Sequence, residues 1–244
     1  MDNIEIINGK GSFASFREPA WHSLGEVFNH KVTSASEMLQ LANLHNWNVR
    51  VEEIPMADGY TTSNPSFWVV RDHPADGHPD VLATVGKRYK TVQNEELFDF
   101  GDAILDGANW ETAGSIKNGR VVFGSLALER ETILDPEGVN DVVKSYLLIH
   151  TSHDGSTAVQ ASVTPVRVVC QNTLNQALKG VKQSYKLRHT QSVEGKVANA
   201  REALGLAHTY LDAFELEAKE LYQASISDKV WNDIITTAYP DRKS

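Results

Sequence analysis

The feature that most constrains this fold is a pair of strand-like segments joined by a turn with a strong conformational preference. Residues 110–116 and 120–128 are mostly apolar or small, and the sequence Lys-Asn-Gly at 117–119 separates them. Because asparagine followed by glycine readily adopts the positive φ angles of a tight reversal, these segments are predicted to form a β-hairpin. A second hairpin is predicted for residues 142–150 and 157–163, which flank a His-Asp-Gly turn.

Further elements follow from apolar periodicity and from residues that begin helices. Additional strands are predicted where apolar residues alternate with polar ones or run continuously, at 47–51, 66–70 and 81–85. Helices are predicted where capping residues or proline precede amphipathic segments, at 33–46, 94–105 and 164–178. We therefore expect an α+β core domain over residues 1–180, in which antiparallel β-hairpins pack against helices.

A long heptad helix is predicted over residues 193–223, within a helical extension that spans 181–244. Its apolar residues are spaced four and three apart, at Val193, Val197, Ala200, Leu204, Ala207, Leu211, Phe214, Ala218 and Leu221. Such a regular seam either packs along the domain or pairs with a second chain. We expect it to assemble a homo-oligomer through Val197, Leu204, Leu211, Phe214 and Leu221.

Charge and composition narrow the range of functions. The chain of 244 residues has a formal net charge of −9, whereas a general nucleic-acid binder usually carries excess lysine and arginine. The segment 140–201 has the opposite charge balance, because it contains eight basic residues and three acidic ones. No apolar run is long enough to span a membrane, and the N-terminus has no secretory pattern. A soluble, cytoplasmic protein is therefore expected.

Sequence motifs for catalysis are missing. The chain has no phosphate-binding Gly-Lys-Ser/Thr loop, no G-x-S-x-G elbow and no H-E-x-x-H helix. Its single cysteine, Cys170, lies in an apolar segment and is interpreted as a packing residue. We predict no catalytic residues, no cofactor and no metal, although His150, His153 and Asp154 lie close enough in sequence to keep a metal-dependent nuclease as an alternative.

A cationic segment with one aromatic residue is the strongest candidate for ligand binding. Lys87, Arg88 and Lys90 surround Tyr89 between a predicted strand and a predicted helix. Cations can hold phosphates while a base stacks on the ring, as in proteins that bind single strands. The alternative is that the ring packs inward and the charges only solubilise the edge of a sheet. Lys117 and Arg120, at the tip of the Asn-Gly hairpin, would extend the same surface.

A polar row on the predicted helix 164–178 is the second candidate. Arg167, Gln171 and Asn175 are spaced four residues apart and share one helix face, and Asn172 lies beside them. Arg167 and Asn172 are therefore predicted to contact nucleic acid. The same row is also typical of the solvated side of an amphipathic helix.

Three motifs together carry a family resemblance. They are PAWHSLG at 19–25, VGKRYKTVQNEELFDF at 85–100, and HTSHDGSTAVQASVTPVRVVCQNTLNQAL at 150–178. The chain resembles, from about residue 11 to 222, the phage/plasmid-like protein family that carries the domain of unknown function 932. Members of that family often look longer, so the chain is expected to lack a C-terminal portion.

The resemblance implies a context and no established activity. Phage and plasmid accessory genes are enriched in DNA metabolism, and hairpins followed by helices are similar to phage single-strand annealing proteins with Rad52-like folds. We therefore expect a homo-oligomeric, non-enzymatic protein that binds or anneals single-stranded DNA in recombination. The alternative from another class is a module that binds a host protein through the heptad seam or the aromatic loop around Trp21.

Overall fold

The computed structural model describes residues 3–58, 62–133, 142–179, 184–187, 200, 202, 212, 215–220, 222 and 227–238. Within these residues the chain is an α+β protein whose sheets are almost entirely antiparallel, as the sequence predicts. No helix in this part of the chain is long and apolar enough to cross a membrane. The predicted seam residues Val197, Leu204, Leu211, Phe214 and Leu221 lie outside the described residues.

A seven-stranded sheet forms the centre of the fold. From one edge to the other its strands are β12 (Ser184–Leu187), β11 (Val159–Thr164), β10 (Val142–Ser152), β9 (Val121–Ile133), β8 (Trp110–Ile116), β3 (Phe13–Phe16) and β4 (Glu26–Phe28). All neighbours pair antiparallel except β3 and β4, which are parallel. Both predicted hairpins are therefore present, as β8–β9 and β10–β11.

The β8–β9 turn has the backbone that its residues predict. Lys117, Asn118 and Gly119 have φ angles of 56°, 55° and 79°. Glycine is required at the third position for a second reason, because a Cβ atom at Gly119 would lie 2.3 Å from Nη1 of the Arg71 guanidinium. The turn is thus packed directly against an arginine from a different sheet.

Helices cover both faces of the central sheet. On one face lie α1 (Ala35–Leu41) and α2 (Asn94–Ile104), whose apolar side chains pack with Trp110, Leu126 and Ile149 in the larger hydrophobic core. On the other lies α3 (Gln171–Lys179), which packs with Phe123 and Leu148 in a second core. The sheet therefore separates two independent apolar layers. A further helix, α4 (Asp228–Ala238), lies near the C-terminus.

A smaller three-stranded sheet is built beside the larger core. Its order is β5 (Arg50–Glu53), β6 (Ser66–Asp72) and β7 (Pro79–Gly86), all antiparallel. The short strands β1 (Ile6–Ile7) and β2 (Lys10–Gly11) pair with each other near the N-terminus. The strands predicted at 66–70 and 81–85 are confirmed as β6 and β7, which pair antiparallel. The strand predicted at 47–51 begins later, at Arg50.

The helix predicted at 164–178 is wrong at its start, because α3 begins at Gln171. The preceding residues are held by hydrogen bonds that a continuous helix could not make. The Thr112 hydroxyl donates to the Val168 carbonyl (2.7 Å), and the backbone N–H groups of Val169 and Cys170 donate to Oγ1 of Thr173 (2.9 and 3.0 Å). Arg167 therefore lies outside the helix whose face it was predicted to share.

Candidate nucleic-acid interface

A cleft of about 700 Å³ opens where β7 ends and where the turn after β10 begins. One wall is the segment 84–89, which contains the predicted cations Lys87 and Arg88 and the aromatic residue Tyr89. The other wall is Asp154 and Gly155, and Asn64 lies at the edge. The structure thus brings the predicted cationic segment into contact with a turn that is more than sixty residues away in sequence.

Tyr89 joins the two walls of the cleft. Its hydroxyl donates a hydrogen bond to the Ser152 carbonyl (3.3 Å), and its ring lies against Gly155, where a Cβ atom would be 3.6 Å from the ring. Burial, with a smaller contribution from the charge of Asp154, raises the pKa of Tyr89 to about 12. The phenol therefore stays neutral, and the partly buried ring presents only part of its surface to the cleft.

The cations beside Tyr89 are available to a ligand. Lys87, Arg88 and Lys90 are exposed, and none of them forms an ion pair with a carboxylate of the described residues. Their charge is therefore not neutralised by a carboxylate in the described part of the chain. An exposed, unpaired cation loses less on binding a phosphate than one that must first give up an ion pair.

The tip of the β8–β9 hairpin adjoins the same cleft. The Arg120 carbonyl accepts a hydrogen bond from the backbone N–H of His153 (2.8 Å), which fastens the hairpin to the turn that follows β10. Lys117 is close enough for its charge to act on Asp154. Although partial burial opposes ionisation, hydrogen bonds from Ser156 and Ser152 and the charge of Lys117 keep the pKa of the Asp154 carboxyl below its ordinary value.

Asp154 is thus a negative charge inside a cationic cleft. It sets a limit on where a phosphate can lie, because like charges at short distance repel. The exposed side of Lys87 and Arg88 is therefore the part of the cleft that could accept an anion, and the carboxylate of Asp154 could accept hydrogen bonds from donor groups of a ligand.

Beneath the cleft, buried polar residues hold its parts in register. Asn94, at the first turn of α2, donates through Nδ2 to the Leu44 carbonyl (2.8 Å), and its Oδ1 lies 3.0 Å from Nε2 of His153. Because that oxygen can only accept, Nε2 of His153 carries the proton. Burial, with the nearby charge of Arg71, lowers the pKa of His153 to about 4, so the imidazole is neutral at pH 7. Its ring also packs against Trp47, with 5.8 Å between centroids.

Arg71 is the most deeply buried charge in this region and was not predicted from the sequence. Its side chain is 1% exposed, pairs with Glu5 and Asp80, and lies over the Trp47 ring with 4.3 Å to the centroid. Glu5 also accepts a hydrogen bond from the Ser115 hydroxyl (2.7 Å). This network connects the small sheet to the N-terminal segment and to β8.

The remaining predicted contact residues do not reach the cleft. The Nε of Arg167 donates to a carboxylate oxygen of Glu111 (2.8 Å), and Nη2 donates to the carbonyls of Phe16 and Glu18 (3.2 and 3.1 Å). Arg167 lines a different cleft of about 380 Å³. Asn172 is exposed on α3. A strand bound between Lys87 and Asp154 would therefore not contact either residue in the same cleft.

The histidines considered for a nuclease are buried. His150 is 2% exposed, and burial lowers its pKa to about 4, with Gln160 opposing this shift and Lys186 adding to it. His150, His153 and Asp154 do not bring their ligand atoms together. Among the residues that the structure describes, the group that does is His73, Asp76 and His78, in the β6–β7 turn. Its H-x-x-D-x-H spacing was a signal that the sequence interpretation missed.

The aromatic loop is anchored on one side and open on the other. Nε2 of His22 lies 2.9 Å from the Val169 carbonyl, and its ring meets Phe13 edge to face with 5.3 Å between centroids. Trp21, by contrast, is 66% exposed.

Cys170 is buried, and hydrogen bonds from Thr173, Asn172 and Trp21 outweigh burial and lower the pKa of its thiol.

Comparison with known proteins agrees with two of the three motifs, those at 85–100 and 150–178. The family model described as Domain of unknown function (DUF932) matches residues 81–244, which include both walls of the cleft, and the chain belongs to this family. No curated protein and no solved structure matches the chain. The description of this family names no activity.

Proposed function

We propose that this DUF932 protein binds a single strand of nucleic acid without catalysing a reaction, as a DNA-binding or annealing protein in recombination. The observation that carries the proposal is the cleft in which the unpaired cations Lys87 and Arg88 flank the Tyr89 ring. Lys90 and Lys117 lie in the adjoining turns. These four cations would neutralise phosphates, and the exposed part of the ring would contact a base.

The energies of such contacts are adequate for weak, sequence-tolerant binding. Stacking of a base on an aromatic side chain contributes roughly 1–3 kcal/mol. Only part of the Tyr89 ring is accessible, so the lower part of that range applies here. The cations add affinity that depends on salt, because each neutralised phosphate of a single strand contributes about −0.7 to the slope of log K against log salt.

The overall negative charge of the chain opposes the approach of a polyanion, yet it acts mainly at a distance. At physiological ionic strength the screening length is about 8 Å. Cations in contact with phosphate are therefore screened less than acidic residues elsewhere on the surface. This favours a short binding site over an extended one.

Annealing and self-assembly are the less direct parts of the proposal. They depend on the heptad seam and on similarity to phage annealing proteins with Rad52-like folds, both of which come from the sequence. An oligomer would place several short clefts along one strand, and linked sites bind more tightly than any single site. Such an arrangement would compensate for the small size of each cleft.

Fluorescence anisotropy of labelled single-stranded DNA tests the proposal. We expect binding at low salt that weakens steeply as salt rises, and a loss of about two units of the salt slope in the triple variant Lys87→Ala, Arg88→Ala, Lys90→Ala. The matched control replaces Lys10, Lys31 and Lys144 with alanine. It changes the net charge equally, at exposed positions outside this cleft.

The two triple variants separate specific binding from general charge. If both lose affinity to the same extent, the cations act only through net charge and the cleft is not the binding site. If the wild-type protein does not bind at low salt, where electrostatic attraction is strongest, the proposal is wrong.

A protein-binding function is the second candidate, and the exposure of Trp21 favours it. Tryptophan is enriched at the centres of protein interfaces, and here His22 holds the loop in place while Trp21 remains 66% exposed. A complex formed through this loop would depend little on salt. A metal-dependent nuclease at His150, His153 and Asp154 is less favoured, because both imidazoles are buried and the three groups do not converge.

A further inference from the structure

The turn between β6 and β7 brings two imidazoles and a carboxylate together at the surface. The backbone N–H of His73 donates to the His78 carbonyl (2.9 Å), and that of Gly77 donates to the His73 carbonyl (2.8 Å). The two histidine rings therefore project from the same side of the hairpin and stack, with 4.7 Å between centroids and an interplanar angle of 18°. Asp76 lies between them in the sequence, at the tip of the turn.

The ligand atoms of these three residues lie within 4.8 Å of one another. Oδ1 of Asp76 is 2.5 Å from Nδ1 of His78 and 3.8 Å from Nδ1 of His73. We propose that His73, Asp76 and His78 bind a divalent transition-metal ion of the zinc class. The geometry that supports this is a hairpin that preorganises all three ligands within one six-residue turn.

The chemistry of the ligands selects the metal. Imidazole nitrogen suits zinc, copper and nickel, whereas magnesium and calcium prefer oxygen ligands throughout. Two histidines and one carboxylate, with a remaining position for water, form a common zinc ligand set. Metal–ligand distances of about 2.0–2.2 Å place the ligand atoms about 3.4 Å from one another in a tetrahedral site. Oδ1 of Asp76 and Nδ1 of His78, now 2.5 Å apart, must therefore separate by about 0.9 Å, whereas Oδ1 of Asp76 and Nδ1 of His73, now 3.8 Å apart, must approach by about 0.4 Å.

The side chains can make that movement. Asp76 and His78 are more than half exposed, and His73 is 23% exposed. The metal would replace the hydrogen bond between His78 and Asp76, and it would compete at Nδ1 of His73 with the backbone N–H of Ala75 (3.2 Å). The backbone bond from His78 to Asp76 Oδ1 (3.2 Å) helps to keep the carboxylate in the turn.

This site is separate from the proposed nucleic-acid cleft. The turn precedes Pro79 and the cleft begins at Thr84, so they lie toward opposite ends of β7, about 17 Å apart at about 3.3 Å per residue. A bound ion would cross-link the two strands of the hairpin and stabilise the small sheet. The metal-binding proposal therefore stands or fails independently of nucleic-acid binding.

Isothermal titration calorimetry of the tag-free full chain with Zn²⁺ tests the site. We expect one equivalent to bind, with affinity reduced about tenfold or more by Asp76→Asn. That variant keeps an oxygen acceptor for the backbone of His78, so the turn is retained. The double variant His73→Gln, His78→Gln is expected to abolish this binding. The matched control, His30→Gln with His45→Gln, removes two exposed histidines elsewhere.

Co²⁺ provides a second readout that does not depend on heat changes. Substitution is expected to produce a visible absorption band in the wild-type protein and in the control, and none in the His73/His78 double variant. Zinc binding of equal affinity in the wild-type protein and the double variant would overturn the proposal. So would the absence of stoichiometric binding in wild-type protein whose fold is confirmed by circular dichroism.

Discussion

At the scale of single residues, burial determines what each charged side chain can do. Lys87 and Arg88 are exposed and unpaired among the described residues, so their charge is available to a ligand. Arg71 is 1% exposed, and its charge is compensated by ion pairs with Glu5 and Asp80 and by contact with the face of Trp47. Sequence position did not distinguish these arginines, because each lies near the end of a strand. Register across the sheet decided which was buried.

The buried pair of Arg71 and Glu5 leads to a prediction about stability. Replacing Arg71 with methionine leaves the Glu5 carboxylate buried with, among the described residues, only the Ser115 hydroxyl to stabilise it, and breaking such a pair costs about 3–5 kcal/mol. Arg50→Met is the control, since Arg50 makes partly exposed ion pairs with Glu52 and Asp72 in the same sheet. It is expected to cost less than about 1 kcal/mol. Urea denaturation measures both free energies of unfolding, and equal losses would contradict the distinction.

At the scale of elements, local sequence patterns predicted the hairpins and α2 well. The Lys-Asn-Gly turn and the first turn of α2 depend on residues a few positions apart. In the latter, the backbone N–H of Gln93 donates to Glu96 (2.8 Å) in a capping box. The predicted start of α3 was wrong because hydrogen bonds of Thr112 and Thr173 hold the preceding backbone in a non-helical conformation. Contacts between distant segments leave no periodic signal in the sequence.

The β8–β9 turn is predicted to be coupled energetically to the small sheet. Gly119→Ala places a methyl group at positive φ and against the Arg71 guanidinium. The unfavourable φ alone costs about 1–2 kcal/mol, and the clash adds to it. In an Arg71→Met background the clash is reduced, so the penalty of Gly119→Ala should fall toward the φ contribution alone. A double-mutant cycle in urea measures the coupling, and strict additivity would show that the two elements are independent.

At the scale of the whole molecule, the sequence predicted the α+β class and the family, and it identified one wall of the candidate cleft. The grouping of Lys87, Arg88 and Tyr89 was visible because these residues are contiguous. The opposite wall at Asp154 and Gly155 was not visible in the sequence, because its position depends on how β10 packs beside α2. The stacked histidines at 73 and 78 were also missed, since a turn can be recognised from sequence more easily than the convergence of its side chains.

The two buried histidines make global stability depend on pH. The pKa values of His150 and His153 are lowered from 6.5 to about 4 by burial, so the unfolded chain binds protons more readily than the native one between these values. Stability should therefore be full above about pH 6.5 and fall as the pH decreases toward 4, by roughly 3 kcal/mol for each histidine. Burial raises the pKa values of Asp99 and Asp102, which offsets part of the loss at the acid end of this window.

His150→Leu isolates one of the two contributions. The His150 ring is buried, and among the described residues neither of its nitrogens makes a hydrogen bond of normal geometry, although Gln160 lies close enough to oppose part of the pKa shift. An apolar side chain of similar volume should therefore weaken the protein little at pH 7, and it removes the titrating group. Urea denaturation from pH 7.5 to 4.5 is expected to show about half the wild-type loss of stability in this variant. His45→Gln, at an exposed position, should follow the wild-type curve. If His150→Leu also follows it, the ring titrates normally in the folded chain, and the acid sensitivity of the fold resides in other groups.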